Sequence, residues 1–239
     1  MHTDVRQLLE FYASPLGGMV RRILAHRIRA RWRRCHGLTL MGLGFAIPYL
    51  GSFRGEVARL GALMPSTQGA VVWPSSGNVN SVVVDEDELP LPDNCVDRMV
   101  VVHCLETTDQ AHALLREIWR VLTPEGRLLI IVPNRSGVWA RFDVTPFGYG
   151  RPYSQTQLER LLTEALLSPV EWGAALHLPP LDNRLVLRSA MTLERMGARL
   201  TPAFAGVLLV EARKEVALPL AKPSLARRLT DLMPVRLPN

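Results

Sequence analysis

Apolar residues recur along this chain in two rhythms. Val20, Ile23, Leu24, Ile28 and Trp32 fall at spacings of three and four, which places them on one stripe of a helix over 19–34. A shorter helix is read over 5–13, and Pro15-Leu16-Gly17-Gly18 is expected to break the two apart. The rhythm then changes to short, continuous apolar runs. These are Leu38–Met41, which ends in a glycine turn, Gly69–Trp73, stopped by Pro74, Ser81–Val84, stopped by the acids Asp85–Glu88, Met99–Val102, and Leu128–Val132, stopped by Pro133-Asn134. Helices are read between them over 52–62 and 109–122, the latter with Leu114, Leu115, Ile118, Val121 and Leu122 facing inward. Unbroken β-branched runs alternating with helices describe strands covered on both faces, hence a parallel sheet in an α/β fold.

The last third reads differently. A helix over 155–167, a strand over Trp172–Leu178, a helix over 183–198 and a strand over Gly206–Glu215 place two late strands together without a full crossover. That pattern predicts an antiparallel edge on the sheet. Four prolines in 217–239 predict a tail lying on the surface or fraying. The expected organisation is N-terminal helices over 1–36, one domain over 37–215 and a proline-rich tail over 216–239.

Charge adds one local feature. The net charge of +6 comes from seven arginines in 19–36 (Arg21, Arg22, Arg27, Arg29, Arg31, Arg33, Arg34), and without them 21 basic residues face 22 acidic ones. The body of the chain is therefore neutral, and a nucleic-acid-binding surface spread over the fold is not expected. The arginine face reads either as a solvated helix surface or as a patch for an anionic partner. Cys35, Cys95 and Cys104 form no pair with disulfide or zinc spacing, so no metal is expected. With 48% hydrophobic residues, no apolar run of spanning length and no leader pattern, a cytoplasmic globular protein is the expectation.

The chemistry gathers at strand ends. Met41-Gly42-Leu43-Gly44-Phe45-Ala46 follows the first strand, and glycines there allow a ligand close to the backbone at a helix start. In open α/β sheets the ligand crevice lies at the carboxyl ends of the strands, where strand order reverses. The loop from Pro133 to Ser154 is long and carries arginine, aromatic residues and glycine.

Taken in order, four segments resemble the class I S-adenosylmethionine-dependent methyltransferases, specifically the ubiquinone/menaquinone methyltransferase-like group. They are Gly42-Leu43-Gly44, the run Asp85 to Asp93 with its Leu-Pro-Leu-Pro-Asp ending, Val96-Asp97 through Leu105-Glu106, and Leu115 to Leu128 with its Pro124-Glu125-Gly126 turn. The resemblance covers roughly 36–135 and extends to the late strand Leu208–Lys214. It implies a Rossmann-like, mostly parallel seven-stranded sheet with an antiparallel edge and helices on both faces. It also implies S-adenosylmethionine as cofactor. Gly42 and Gly44 would lie under the cofactor's aminocarboxypropyl part, Asp85 and Glu86 at the adenine, and His103 beside the methyl. Three positions depart from the family pattern: Leu40 stands where an acid is usual, Ala46 replaces the third glycine, and Trp73-Pro74 ends the expected second strand where an acid is usual. Trp73 stacking on adenine, or Asn78 or Asn80 reaching the ribose, would compensate.

Methyl transfer from a sulfonium asks the protein mainly for alignment and, where needed, a base. His103, Asp143 and Tyr153 are the base candidates, and Arg135, Trp139, Arg141 and Arg151 the substrate-binding ones. The expectation is an enzyme acting on a small or lipid-like acceptor. The alternative is a methyltransferase-like binding or regulatory protein with a degenerate cofactor site. A third reading, an RNA or protein methyltransferase docking through 19–36, is the least favoured.

Overall fold

The computed structural model describes residues 4–142, 145–183, 189, 192, 194–198 and 204–216. Its centre is a seven-stranded sheet in the order β3-β2-β1-β4-β5-β7-β6. The strands are β1 (Thr39–Gly44), β2 (Arg59–Pro65), β3 (Ser81–Val84), β4 (Val96–Val102), β5 (Leu122–Pro133), β6 (Leu167–Ala175) and β7 (Val207–Lys214). β1 through β5 run parallel, and β7 is antiparallel to both β5 and β6. This is the expected sheet with its antiparallel element.

Two apolar layers close it. One face packs under α1 (Val5–Ala13) and α2 (Pro15–Arg31), with Leu8, Tyr12, Val20, Leu24 and Ile28 meeting Leu40, Val100, Val102 and Leu129. The other packs under α4 (Ala111–Val121) and α5 (Gln155–Glu164), with Leu114, Ile118 and Leu158 meeting Met99, Val101 and Ile130. Alternate residues of the same strands thus serve opposite faces, as strands covered on both sides must. Ser154 opens α5 through a capping box with Gln157.

Arg120 of α4 ties the Leu-Pro-Leu-Pro-Asp run to the helix. Its guanidinium donates to the Leu89 and Leu91 carbonyls, to Asp93 and to Glu117. The arginine holds the Glu117 carboxyl below its usual range.

Several boundaries differ from expectation, among them β5, which starts at Leu122 and not Leu128, and β6, which is Leu167–Ala175 and not Trp172–Leu178. Pro15 to Gly18 lie inside α2: Ser14 caps the helix and Pro15 sits at its first turn, where a missing N–H costs nothing. β1 runs on to Gly44, so both glycines belong to the strand. The helix expected over 52–62 is instead one short turn, α3 (Ile47–Leu50), a 3-10 turn at Gly51–Phe53, and then β2. The second strand is therefore Arg59–Pro65 and not Gly69–Trp73. Trp73 lies in the β2–β3 connection, half-buried, with the Arg54 guanidinium 5.6 Å from its ring. The helix expected over 183–198 falls partly outside the described residues, with 194–198 helical, and the tail 217–239 lies wholly outside them.

Three of the seven clustered arginines pair with acids: Arg27 with Glu194, Arg29 with Glu56 and Arg31 with Glu171. Arg21, Arg22, Arg33 and Arg34 are exposed. No helix among the described residues is long and apolar enough to cross a membrane.

Candidate active site

Strand order reverses between β1 and β4, since β2 and β3 lie on one side of β1 and β5 on the other side of β4. The crevice at this point is built by the ends of β1, β2 and β4 and by what lies over them. Gly44 ends β1 at φ 78°, and a side chain there would run into the Val102 carbonyl oxygen and come 2.7 Å from the Cys104 Cβ. Gly42 is closed from above by its own connection: an added Cβ would be 2.6 Å from that of Ala46 and 2.9 Å from a Leu50 methyl. Both glycines are thus required by close packing at the turn, and Ala46, in place of a third glycine, fills part of that space.

His103 follows β4 with φ 52°, a left-handed conformation that turns its side chain into the crevice. It is 2% exposed. Its Nε2 lies 2.9 Å from the Tyr12 hydroxyl of α1, which lies 2.8 Å from the Tyr49 hydroxyl of α3. Its Nδ1 faces the Glu106 carboxylate at 3.4 Å. One arrangement satisfies all these contacts: Nδ1 carries the proton toward Glu106, Tyr12 donates to Nε2, and Tyr49 donates to Tyr12. Burial pushes both tyrosine hydroxyls up, so both keep the protons this chain needs. The Tyr12 ring stacks on Phe45, the residue after Gly44, at 5.5 Å and 30°. Phe147, from the loop after β5, covers the imidazole at 4.6 Å.

Gln68 completes this closure. It lies just past β2, 5% exposed, and its Nε2 donates to the His103 carbonyl at 2.7 Å. β2 and β4 flank β1 and are separated by two strand spacings, roughly 10 Å. The Gln68 amide therefore bridges the two strands beside the glycine turn. Val5 of α1 donates its N–H to the Gln68 carbonyl at 2.9 Å. α1 thus lies across the switch point and is fastened at both ends, by Val5 on Gln68 and by Tyr12 on His103.

Two clefts stay open beside this plug. One is a trough of about 210 Å³ lined by Ser66, Thr67, Asp85, Glu86, Asp87, Thr108, Asp109 and Gln110. The Ser66 hydroxyl donates to Asp85 at 2.9 Å, and the Thr67 hydroxyl to Glu86 at 3.3 Å. The other, about 570 Å³, runs from Glu106 to Asp109 and across to Gly148–Arg151. Thr108 and Asp109 line both, so the two lie on either side of these residues.

Of the residues singled out in the sequence, Asp85 and Glu86 line the trough, Arg151 lines the second cleft 3.5 Å from Asp109, and Gly44 and His103 form the floor of the plug. Tyr153 is not in the crevice: its hydroxyl donates to the Leu105 carbonyl at 3.2 Å, and it packs with Leu158 under the other face. Trp139 is sealed in the core, donating to the Leu178 carbonyl at 2.6 Å, with no surface for a ligand. Arg135 and Arg141 are exposed. Asp143 lies outside the described residues. Sequence reasoning missed Tyr12, Tyr49, Gln68 and Glu106, although Glu106 stood within a matched segment.

Residues 51–130 match the family model described as a methyltransferase domain. With the sheet order above, the chain has the Rossmann-like fold of the class I methyltransferases, and its sequence likeness to them lies in this central segment. Among curated relatives, a ubiquinone/menaquinone biosynthesis C-methyltransferase of Vibrio cholerae is 42% identical over 55 residues, 23% of this chain and 21% of the relative. The corresponding enzyme of Ectopseudomonas mendocina is 37% identical over 62 residues, 26% of this chain and 24% of the relative. The chain thus spans about a fifth to a quarter of the length of these relatives. Among solved structures, an S-adenosylmethionine-dependent methyltransferase from Mesorhizobium loti superposes with a TM-score of 0.57 at 15% identity, covering 79% of this chain and 96% of that one. The geranyl diphosphate C-methyltransferase of Streptomyces coelicolor A3(2), in complex with Mg²⁺, geranyl diphosphate and S-adenosyl-L-homocysteine, gives 0.56 at 16% identity, covering 80% and 77%.

Proposed function

We propose that this chain is an S-adenosylmethionine-dependent methyltransferase acting on a small or lipid-like acceptor, and that α1 covers its cofactor crevice. The observation that carries the reading is the pair of neighbouring clefts that share Thr108 and Asp109 at the carboxyl ends of the strands, one beside Asp85 and Glu86 and one beside Glu106 and Arg151.

The residues present fit the cofactor in two different ways. The trough suits the adenine end, because Asp85 is exposed at the carboxyl end of β3 and free to accept from an exocyclic amine. The amino-acid end belongs over Gly44, where Tyr12 and Phe45 now lie. Binding there requires Tyr12 to leave His103 and α1 to shift. Glu106, buried and facing only His103 Nδ1 at 3.4 Å, and the orphaned Gln68 Oε1 both flank His103 with acceptor capacity left over.

When bound, the cofactor supplies a methyl group already activated on a sulfonium. The chain's own residues then have three tasks. Asp85 and Glu86 orient the nucleoside end. His103, with Glu106 holding its proton on Nδ1, offers Nε2 to an acceptor's proton once Tyr12 has gone. Arg151 and Tyr149 border the acceptor cleft, where Arg151 suits an acceptor with an anionic or polar head. The named activities of the curated relatives and of the geranyl diphosphate enzyme support an acceptor of this kind.

A second reading, a methyltransferase fold that has become a binding or regulatory protein, draws on the same plug and on the lack of an acid at Leu40 and at the Met64-Pro65-Ser66 end of β2. Calorimetric titration with S-adenosylhomocysteine separates the two. The enzyme reading expects micromolar binding that weakens roughly tenfold in Asp85→Ala, the loss of one charge-assisted contact. A folded wild type that takes up no S-adenosylhomocysteine sinks the enzyme reading and leaves the second.

A further inference from the structure

The end of β2 poses a separate problem. A nucleoside with its base in the trough at Asp85 and Glu86 would carry its sugar toward the residues that follow β2, Ser66 to Gln68. Ribose brings two hydroxyl donors to that place, and they need an acceptor. Ser66 and Thr67 already donate their hydroxyls to Asp85 and Glu86. β2 itself ends in Met64-Pro65 with no carboxylate.

The next residue inward is Gln68. Its side chain is fixed, because Nε2 is committed to the His103 carbonyl and the backbone is held by Val5 on one side and by the Pro65 carbonyl on the other. The amide cannot turn over without breaking that bond. Its Oε1 is therefore a preset acceptor, and it is buried with no hydrogen-bond partner. An orphaned amide oxygen costs roughly 1–3 kcal/mol in a buried place, and native structures keep few of them.

We propose that Gln68 is the residue through which this chain holds the ribose hydroxyls of its nucleoside cofactor, a carboxamide in the role of the carboxylate that the end of β2 lacks. The proposal rests on the methyltransferase reading for the identity of the nucleoside. It explains why a glutamine is buried at a strand end with one half of its amide satisfied and the other half not. It also links the ligand to the closure, since the same amide that takes the ribose is anchored on the backbone of His103.

Because α1 also touches Gln68, a raw change in affinity mixes ribose contact with the ease of opening. A ratio removes the second effect. The dissociation constants of adenosine and of 2′,3′-dideoxyadenosine are measured by calorimetry on the wild type, on Gln68→Leu and on Gln68→Glu, with S-adenosylhomocysteine alongside. Both nucleosides open the crevice equally, so their ratio reports the hydroxyl contact alone. The expected ratio is about ten in the wild type, near one in Gln68→Leu and above the wild-type value in Gln68→Glu, where a charged acceptor takes the hydroxyls. A ratio that is the same in all three proteins overturns the assignment while leaving the methyltransferase reading intact wherever the wild type still binds S-adenosylhomocysteine. Should Gln68→Leu fail to fold, an unchanged ratio in Gln68→Glu overturns it equally. A wild type that binds none of the three ligands overturns both.

Discussion

Gly44→Ala is expected to lower stability by roughly 3 kcal/mol or more, which in a chain of this size is a fall in Tm of roughly 6–12 °C. Two costs add. At φ 78° any residue with a Cβ sits in the left-handed region, worth about 1–2 kcal/mol. The new methyl then meets the Val102 carbonyl oxygen and the Cys104 side chain, both part of the β4 end. That end is paired with β1 up to Gly44↔Val102 and is buried, so it has nowhere to give. The control is Gly51→Ala, on the same connection with nothing near the added Cβ. It should change Tm by no more than a degree or two. Equal, small shifts in both variants would mean that the turn at the switch point is looser than described here.

Removing the Tyr12 hydroxyl should act in opposite directions on stability and on ligand binding. Tyr12→Phe keeps the ring that stacks on Phe45 but leaves His103 Nε2 buried without its donor, at a cost of roughly 1–3 kcal/mol. The free protein should melt roughly 2–12 °C lower. That cost falls on the shut state alone, so whatever part of it the open state escapes returns as affinity. A gain of about tenfold for S-adenosylhomocysteine corresponds to 1.4 kcal/mol. Tyr12→Ala deletes the ring as well and should cost about 3–5 kcal/mol, the usual range for truncating a buried aromatic residue. Loss of stability with unchanged affinity in Tyr12→Phe would show that Tyr12 is a core residue and nothing more.

Much of the fold could be read from the pattern of apolar positions. α1 was expected over the residues it occupies, and β4, α4, α5 and β7 appear within a few residues of their expected places, because each buries apolar side chains in the core. β3 also stands where expected, although Val82 and Val83 stay exposed. β2 could not be read this way. Arg59, Gly61 and Pro65 are poor strand formers, and Arg59–Pro65 is extended because β1 pairs with it on one side and β3 on the other. Val71, Val72 and Trp73 look more like a strand in isolation, yet Val72 is 70% exposed and no neighbouring strand takes them up. Propensity lost to pairing at both places.

The site was legible only where it is local. Gly44, Asp85, Glu86 and His103 stand at strand ends, where the resemblance made them candidates. Tyr12 reaches His103 across 91 residues and Gln68 reaches it across 35, so no motif announces either contact. Trp139 shows the converse error. An aromatic residue in a long, glycine-rich loop suggested a ligand surface, but the loop folds inward and Gly206 gives the indole its place in the core.

The most direct test of the central claim, that α1 occupies a cofactor crevice and yields to the cofactor, is backbone hydrogen exchange of the wild-type protein with and without saturating S-adenosylhomocysteine. The account predicts that protection falls in Leu8–Ala13 as the Tyr12–His103 contact is given up, and rises at Ser66–Gly69 and Asp85–Asp87. An α1 whose protection is unchanged while those two segments are newly protected would contradict the closure, and no change in any of them would contradict the site itself.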